Sequence, residues 1–393
     1  MEKSKNYPFG RIIIPTFLSF YLNSSIRYFI PAILPFIILN LHISVLLGSL
    51  LITSYWAGYT AFQIPSGMLS DKFGLSLTSK LSFSMIFILF ILLYFFINNY
   101  LSLMIIQFFL GIFSASLYVS DASLVQAWTP RKERTTAIGI YQTAYFVGAS
   151  IGEFITIEAL NITFKLPFYI IFGFLAAVLL IDLTFIKEPE VRKKSKKQKI
   201  SKDIIYVTFI RFAAGFSYLG FLSLYSTFIV YSGIASGSNL FLYTWIPSIG
   251  GIITSPLGGR ISKRFKNGRP LIAAVTVLFL GAIIISTAFI KGYLVILPSF
   301  LAGFSYGLYA GPSMGMASDV SGGDRNLASA SGIINFSSQV GGSISPFVIG
   351  YLFSVYGTFS VPFITLGIIS IIFIIPVLFK IKKSSIGDEA LNE

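Results

Sequence analysis

Residues Phe109 to Asp121 read FLGIFSASLYVSD, and Phe300 to Pro312 read FLAGFSYGLYAGP, 191 positions further on. The same offset carries Pro65-x-Gly67 onto Pro256-x-Gly258 and Glu133-Arg134 onto Asp324-Arg325. Val147-Gly148 recurs as Val340-Gly341 after the register slips by two. The chain is therefore a duplication. Both copies consist mostly of long apolar stretches, the mark of secondary transporters built from structural repeats, whose solute sites lie where the repeats meet.

Hydrophobic residues make up 55% of the 393, mean hydropathy is +0.81 and only 11% of residues are charged. Soluble domains run at about 45–50% apolar and roughly 25% charged. The balance predicts an all-α polytopic membrane protein. Twelve apolar segments are readable: 12–39, 45–69, 75–97, 100–127, 135–160, 166–186, 204–231, 239–259, 270–290, 294–318, 326–353 and 358–379. Each can cross a ~30 Å hydrocarbon layer as a helix. Of the 29 lysines and arginines, 25 fall at the termini, in the loops after even-numbered segments or, for Lys80, just inside segment 3 beyond such a loop. The opposite loops hold Lys165 and Lys291, and Arg27 and Arg211 lie inside segments. By the positive-inside rule both termini are expected in the cytoplasm, in a multi-pass cell-membrane protein. The net charge of +14 is then topology and not a nucleic-acid footprint.

The expected division is an N-terminal six-helix bundle over 1–187, a basic cytoplasmic linker over 188–203 and a C-terminal six-helix bundle over 204–393. The linker lysines suit contact with lipid headgroups, although a solvated tether explains them as well. The first apolar segment is too long for the core of a cleavable leader. With no cysteine and the single His42, disulfides, thiol chemistry and His-pair metal sites are excluded, and no cofactor or metal is expected. No G-x-x-x-x-G-K-[ST] run is present. Gly311-Pro312-Ser313-Met314-Gly315 matches a nucleophile-elbow pattern, but it follows no strand and has no nearby histidine. The chain does not read as an enzyme. Asn161-Ile162-Thr163 fits the glycosylation pattern and is taken as chance.

At the turn between segments 2 and 3 the chain reads Gly67-Met68-Leu69-Ser70-Asp71-Lys72-Phe73-Gly74. This resembles the G-x-x-x-D-R/K-x-G signature of the major facilitator superfamily, in the loop where that family places it. Gln107 to Ile112 and Trp128-Thr129-Pro130-Arg131-Lys132-Glu133-Arg134 are similar to the family's fourth helix and its W-x-P-x-x-E-R loop. Gly258 to Arg264 is a degraded second copy of the first signature. The resemblance implies two pseudo-symmetric six-helix bundles around a central cavity, working by alternating access. It also implies a gating role for Asp71 and Lys72, with Arg134, Asp319 and Arg325 in the same cytoplasmic network. Gly67 and Gly74 would permit a tight turn and close helix approach. Three departures stand out. Leu75-Ser76 replaces the signature's closing basic pair, Gln107 stands where many members carry arginine, and Glu153 replaces the proline of an exporter-type G-x-x-x-G-P motif begun by Gly148 and Gly152.

Ionisable groups at bilayer depth cost roughly 2.5–3.5 kcal/mol on insertion scales and need a partner or a wet cavity. Arg27 lies roughly 22 Å along segment 1 from Ile12 at 1.5 Å per residue, with Asn23 one turn before it and Tyr28 beside it. The run Tyr21 to Arg27, leading to Pro31 and Pro35, resembles the first helix of the anion–cation symporter and sugar-phosphate exchanger branches, where a mid-helix arginine faces the substrate. Ile26 stands in place of their usual acid. Arg211 in segment 7 is a second candidate, because two guanidinium forks suit an anionic solute. Its shallower position also allows snorkelling to the surface, and Arg27 has a structural alternative in an ion pair with Asp121 or Glu153. Tyr118, Gln142, Tyr145, Tyr225, Tyr309, Asn335 and Gln339 are candidate neutral hydrogen-bonding groups of the cavity. A carboxyl held away from water takes up protons more readily. Glu153, then Asp121, and last Glu158 near the outer end are the proton-coupling candidates; Asp182 reads as interfacial.

The function expected is transport of a small solute, an organic anion moving with protons, by a monomer embedded in lipid. The alternatives are proton-coupled export of hydrophobic or cationic compounds and, behind it, a transport-inactive membrane sensor.

Overall fold

The computed structural model describes residues 10–129, 134–189, 201–262, 264–265, 268–320 and 327–389. The described chain is helical, with no strand. The first half contributes α1 (Gly10–Leu41), α2 (Val45–Phe73), α3 (Leu75–Phe95), α4 (Tyr100–Trp128), α5 (Arg134–Ile162) and α6 (Leu166–Phe185). The second half begins with a broken segment: α7 (Ile204–Ala214), a π-helical turn over Gly215–Leu219, α8 (Gly220–Ser223) and α9 (Tyr225–Tyr231). There follow α10 (Phe241–Thr244), α11 (Ile246–Ser262), α12 (Gly268–Thr287), α13 (Ile296–Val320), α14 (Leu327–Tyr356) and α15 (Ser360–Glu389). Within the described residues each of the twelve apolar segments lies mainly on helix. Nine spans among the described residues are long and apolar enough to cross a membrane. Segments 5, 8 and 11 stand outside that set. Residues of α11 total only 17, because segment 8 divides after Thr244, and α5 and α14 carry glycine, serine and glutamine.

Local chemistry ends the helices where the sequence turns polar. Ser44 accepts the Leu47 N–H at 3.2 Å and caps α2, and Asn99 accepts the Ser102 N–H at 2.9 Å and caps α4. Gly74 takes φ +100 between α2 and α3, a conformation that favours glycine. There Glu188 accepts the backbone N–H groups of Leu75 and Ser76 at 3.0 and 2.7 Å. A carboxylate thus sits on the N-terminus of α3, where the helix dipole favours it.

The halves repeat one packing scheme. In the first, α1 lies on α5 and α6, α2 on α4, and α3 on α4 and α6. In the second, α7 with its π turn lies on α14 and α15, α11 on α13, and α12 on α13 and α15. The repeat extends to single contacts. A Cβ added at Gly148 would stand 2.3 Å from the Tyr21 carbonyl oxygen, and one at Gly341 2.6 Å from that of Phe212. Tyr21 and Phe212 are themselves 191 positions apart. Small residues let these backbones touch, as membrane helix packing requires.

The halves meet along α2–α14, along α5 with α10 and α11, and along α1 with α8 and α9. These contacts run from mid-helix towards the end carrying the turns at 42–44, 163–165, 232–236 and 357–359. Thr60 Oγ1 and Ser343 Oγ share a hydrogen bond of 2.8 Å across α2–α14, and Trp56 Nε1 donates to Ser223 Oγ at 3.4 Å. Phe154 packs edge-on against Phe241 and Trp245.

One glycine departs from expectation. Nothing lies within 4 Å of where a Cβ on Gly67 would stand, so close helix approach does not explain it. Its repeat partner Gly258 does press on the Leu308 carbonyl, and Gly111 of α4 presses on that of Tyr55. Gly111→Ala should therefore push α2 from α4 and cost about 1–3 kcal/mol, while Gly67→Ala should leave stability unchanged. Thermal unfolding of the two purified variants checks this; equal melting temperatures for both would contradict the packing described.

Candidate solute site

Arg27 sits midway along α1 with 6% of its surface exposed, too deep for its head to reach either surface. Four aromatic residues box the guanidinium. Its Cζ lies 4.8 Å from the ring centre of Tyr59, 5.2 Å from Trp56, 5.6 Å from Tyr145 and 6.0 Å from Tyr55. Tyr55, Trp56 and Tyr59 come from one turn of α2, and Tyr145 comes from α5. Arg27 Nε donates to the Tyr55 hydroxyl at 3.2 Å, whereas Nη2 is buried with no partner. No carboxylate among the described residues pairs with it, so the alternative ion pair with Asp121 or Glu153 is absent. Ring faces offer a cation about 0.5–2 kcal/mol each, but they accept no fork of hydrogen bonds. The guanidinium keeps donors for an oxyanion.

The neighbours of Arg27 are disposed differently from one another. The Tyr28 and Tyr145 hydroxyls share a hydrogen bond of 2.6 Å, which fixes the Tyr145 ring over the guanidinium. Asn23 turns away and donates from Nδ2 to the Ser114 carbonyl of α4 at 3.4 Å. Gln142 donates to the Tyr118 hydroxyl at 2.8 Å, and Tyr118 and Tyr141 both pack on Phe20. Tyr225 is not brought to this cluster by ring contacts; it packs with Phe221 and Phe228 in the second half.

Arg211 does not snorkel. It is 5% exposed and turned inward. Its Nε donates to the Ile334 carbonyl at 3.4 Å, Nη1 to Ser313 Oγ at 3.1 Å and Nη2 to Asn335 Oδ1 at 2.8 Å, and its Cζ lies 5.8 Å from the Tyr309 ring centre. A run of rings joins the two arginines across the halves. From Tyr145 it passes to Phe146 (5.1 Å between centroids), Tyr306 (6.2 Å) and Tyr309 (5.3 Å). Gln339, one turn beyond Asn335 on α14, is buried with Oε1 unpartnered.

Glu153 is 3% exposed on α5 and has no hydrogen-bond or ion-pair partner among the described residues. With Gln142, Tyr145 and Ala149 it marks one face of that helix. Asp121 is fully buried and accepts a short hydrogen bond from Ser79 Oγ, with no cation beside it. Asp182, expected at the interface, is instead wholly buried and accepts from Ser19 Oγ at 2.6 Å. The packing of α6 on α1 encloses it. Glu158 is exposed, unlike Glu153 and Asp121. Of the gating candidates, Asp71 and Lys72 are exposed at the end of α2, Lys72 Nζ lying 5.2 Å from the Phe73 ring centre. Asp319 pairs with Arg269 of α12. Arg325 and the Arg134 side chain lie outside the described residues.

The sequence reading missed Tyr55, Trp56, Tyr59, Phe146 and Tyr306. A cluster such as Tyr55-Trp56-x-x-Tyr59 in an apolar helix looks the same whether it packs against lipid, protein or a buried cation. Only the position of Arg27 on the neighbouring helix gives it meaning.

Comparison with known proteins places the fold and the family. The chain is 25% identical to the hexuronate transporter of Bacillus subtilis (strain 168), over 91% of this chain and 92% of that one. It is 23% identical to a protein of Escherichia coli (strain K12) named "Probable galactarate/D-glucarate transporter", over 81% and 80% of the two chains. Its fold is similar to that of a bacterial homologue of the human lysosomal transporter Spinster in an inward-facing, unoccupied conformation. The TM-score is 0.76 at 15% identity, covering 94% of this chain and 96% of that one. The model of the Major Facilitator Superfamily matches residues 16–346, and the chain belongs to that family of membrane transporters.

Proposed function

We propose that this transporter carries a small organic anion across the cytoplasmic membrane, driven by protons and working by alternating access. The observation that carries the reading is Arg27, a buried cation with ring faces around it, an unpartnered Nη2 and no carboxylate. An unpaired buried charge is expensive, so the site gains most from a ligand that brings the missing negative charge. The names of the relatives support an acid with a carboxylate, a hexuronate being the first choice.

Protons enter through Glu153. Its carboxyl is buried on the face of α5 that carries Tyr145, so its charge state and that of the anion site act on one wall of the cavity. Protonation removes an unpaired buried negative charge from the helix face that also carries Tyr145 of the Arg27 box. Asp121, enclosed inside the first half, is the second candidate. A ligand shifts the balance between two states only through differential affinity, and the arginine and the carboxyl supply it for the two cargoes. The division at 1–187, 188–203 and 204–393 makes the halves the bodies that rock. Asp71 and Lys72, exposed here, then serve as half of a latch on the side bearing both termini, taken as cytoplasmic. Transport by a monomer suffices for this scheme. Export of cationic compounds would use Glu153 as the cation's partner, but it would leave Arg27 opposing the cargo.

Two measurements test the reading. Arg27→Ala should lower uptake of glucuronate into proteoliposomes at least about a hundredfold, the scale of removing one member of a buried charged pair, with a monodisperse folded protein. Arg27→Lys should recover only a small part, because an ammonium lacks the planar fork. Normal uptake by Arg27→Ala would remove the anion site. Glu153→Gln should abolish accumulation driven by an inward proton gradient while leaving anion exchange between the two sides. Gradient-driven accumulation by that variant would exclude Glu153 as the coupling group.

A further inference from the structure

The repeat does not place the two arginines in equivalent positions: the offset of 191 carries Arg27 onto Tyr218 and sets Phe20 opposite Arg211. Their surroundings differ accordingly. Arg27 keeps an unpartnered Nη2, whereas each nitrogen of Arg211 donates to a neutral oxygen on α13 or α14. A guanidinium carries donors only, so the atom of Asn335 at 2.8 Å from Nη2 must be the amide oxygen. That fixes the amide. Asn335 Nδ2 is left as a donor, with the residue 91% buried and no partner on Nδ2. Asn335, Gln339 and Ser343 stand one turn apart in a single row on α14. The row faces the first half, since Ser343 bonds Thr60 of α2, the residue after Tyr59 of the Arg27 box.

Resting on the anion reading above, we propose that Asn335 is a specificity-determining solute ligand and Arg211 its positioning residue. Asn335 Nδ2 donates to an oxygen of the solute away from the group held by Arg27. Arg211 holds the amide in the one orientation that offers a donor and does not bind the anion itself. The preferred solute is then an acid with an acceptor oxygen at a distance from its carboxylate, a hydroxy or oxo acid, over a bare anion with no second acceptor.

The isosteric variant Asn335→Asp separates this role from a structural one. Aspartate keeps the oxygen that Arg211 bonds, replaces the unpartnered donor with a second acceptor and adds a negative charge that weakens every anion, so the loss of the donor is read from glucuronate relative to nitrate. Calorimetric titration of purified full-length protein with glucuronate should show Kd raised at least about tenfold, the scale of one buried hydrogen bond to a ligand. Nitrate, which has no acceptor oxygen away from its charged group and feels only the added charge, should lose less. An unchanged glucuronate Kd in Asn335→Asp would overturn the assignment. A double-mutant cycle tests the coupling. Arg211→Gln and Asn335→Ala should each weaken glucuronate binding, and the double variant should be no weaker than the worse single one. Additive losses would make Arg211 a direct ligand and contradict its positioning role. If Arg211→Gln does not fold, Ser313→Ala, which removes one anchor of the guanidinium, replaces it in the cycle with the same two outcomes. Failure of the wild-type protein to bind glucuronate, glucarate, sulfoacetate or nitrate would instead sink the anion reading, and this inference with it.

Discussion

A positive charge that cannot leave and is not paired organises this molecule. Arg27 is held near the middle of α1, where a guanidinium costs free energy to bury. The chain meets that cost with aromatic faces and one tyrosine hydroxyl, and not with a carboxylate. The consequence is a buried cation with an unpartnered Nη2. A carboxylate partner in the protein would have lowered the energy of the empty state and removed the affinity for an anion with it. Tyr28, bonded to Tyr145, and the α2 turn carrying Tyr55, Trp56 and Tyr59 are best understood as the frame that keeps this charge oriented and dry.

Duplication supplied the frame, and divergence supplied the chemistry. The helix pairings of one half recur in the other, down to the glycines that let α5 meet α1 and α14 meet α7. The buried charged groups do not recur. Tyr218 stands where the repeat would put a second Arg27, and it stacks on Tyr306 at 4.1 Å. The buried acids Asp121, Glu153 and Asp182 all belong to the first half. A symmetric scaffold thus carries an asymmetric lining: a buried unpaired cation and buried acids in one half, and Arg211 bonded to neutral groups in the other. The ring series from Tyr145 to Tyr309 is the wall that the two share.

Much of the fold was legible because it follows from coarse properties of the chain. Length of apolar segments and a repeat visible in FLGIFSASLYVSD and FLAGFSYGLYAGP require no side-chain geometry. Arg27 was legible as well, since an arginine in mid-segment is conspicuous by its cost. What surrounds it was not. Periodicity cannot say that Tyr59 covers a guanidinium while Tyr225 packs among phenylalanines, because both are buried aromatic residues at helical spacing. Asp182 looked interfacial from its distance along α6, yet α1 covers it and Ser19 bonds it. Gly67 looked like a packing glycine from its motif, and the space beside it is open. In each case the deciding fact is which neighbour lies across the gap, and that is tertiary information.

The most direct test is a structure of the protein with glucuronate bound. The account predicts the carboxylate at hydrogen-bond distance from Arg27 Nη2, inside the box of Tyr55, Trp56, Tyr59 and Tyr145. A carboxylate seated elsewhere in the cavity, with Arg27 still facing only aromatic rings, would contradict it.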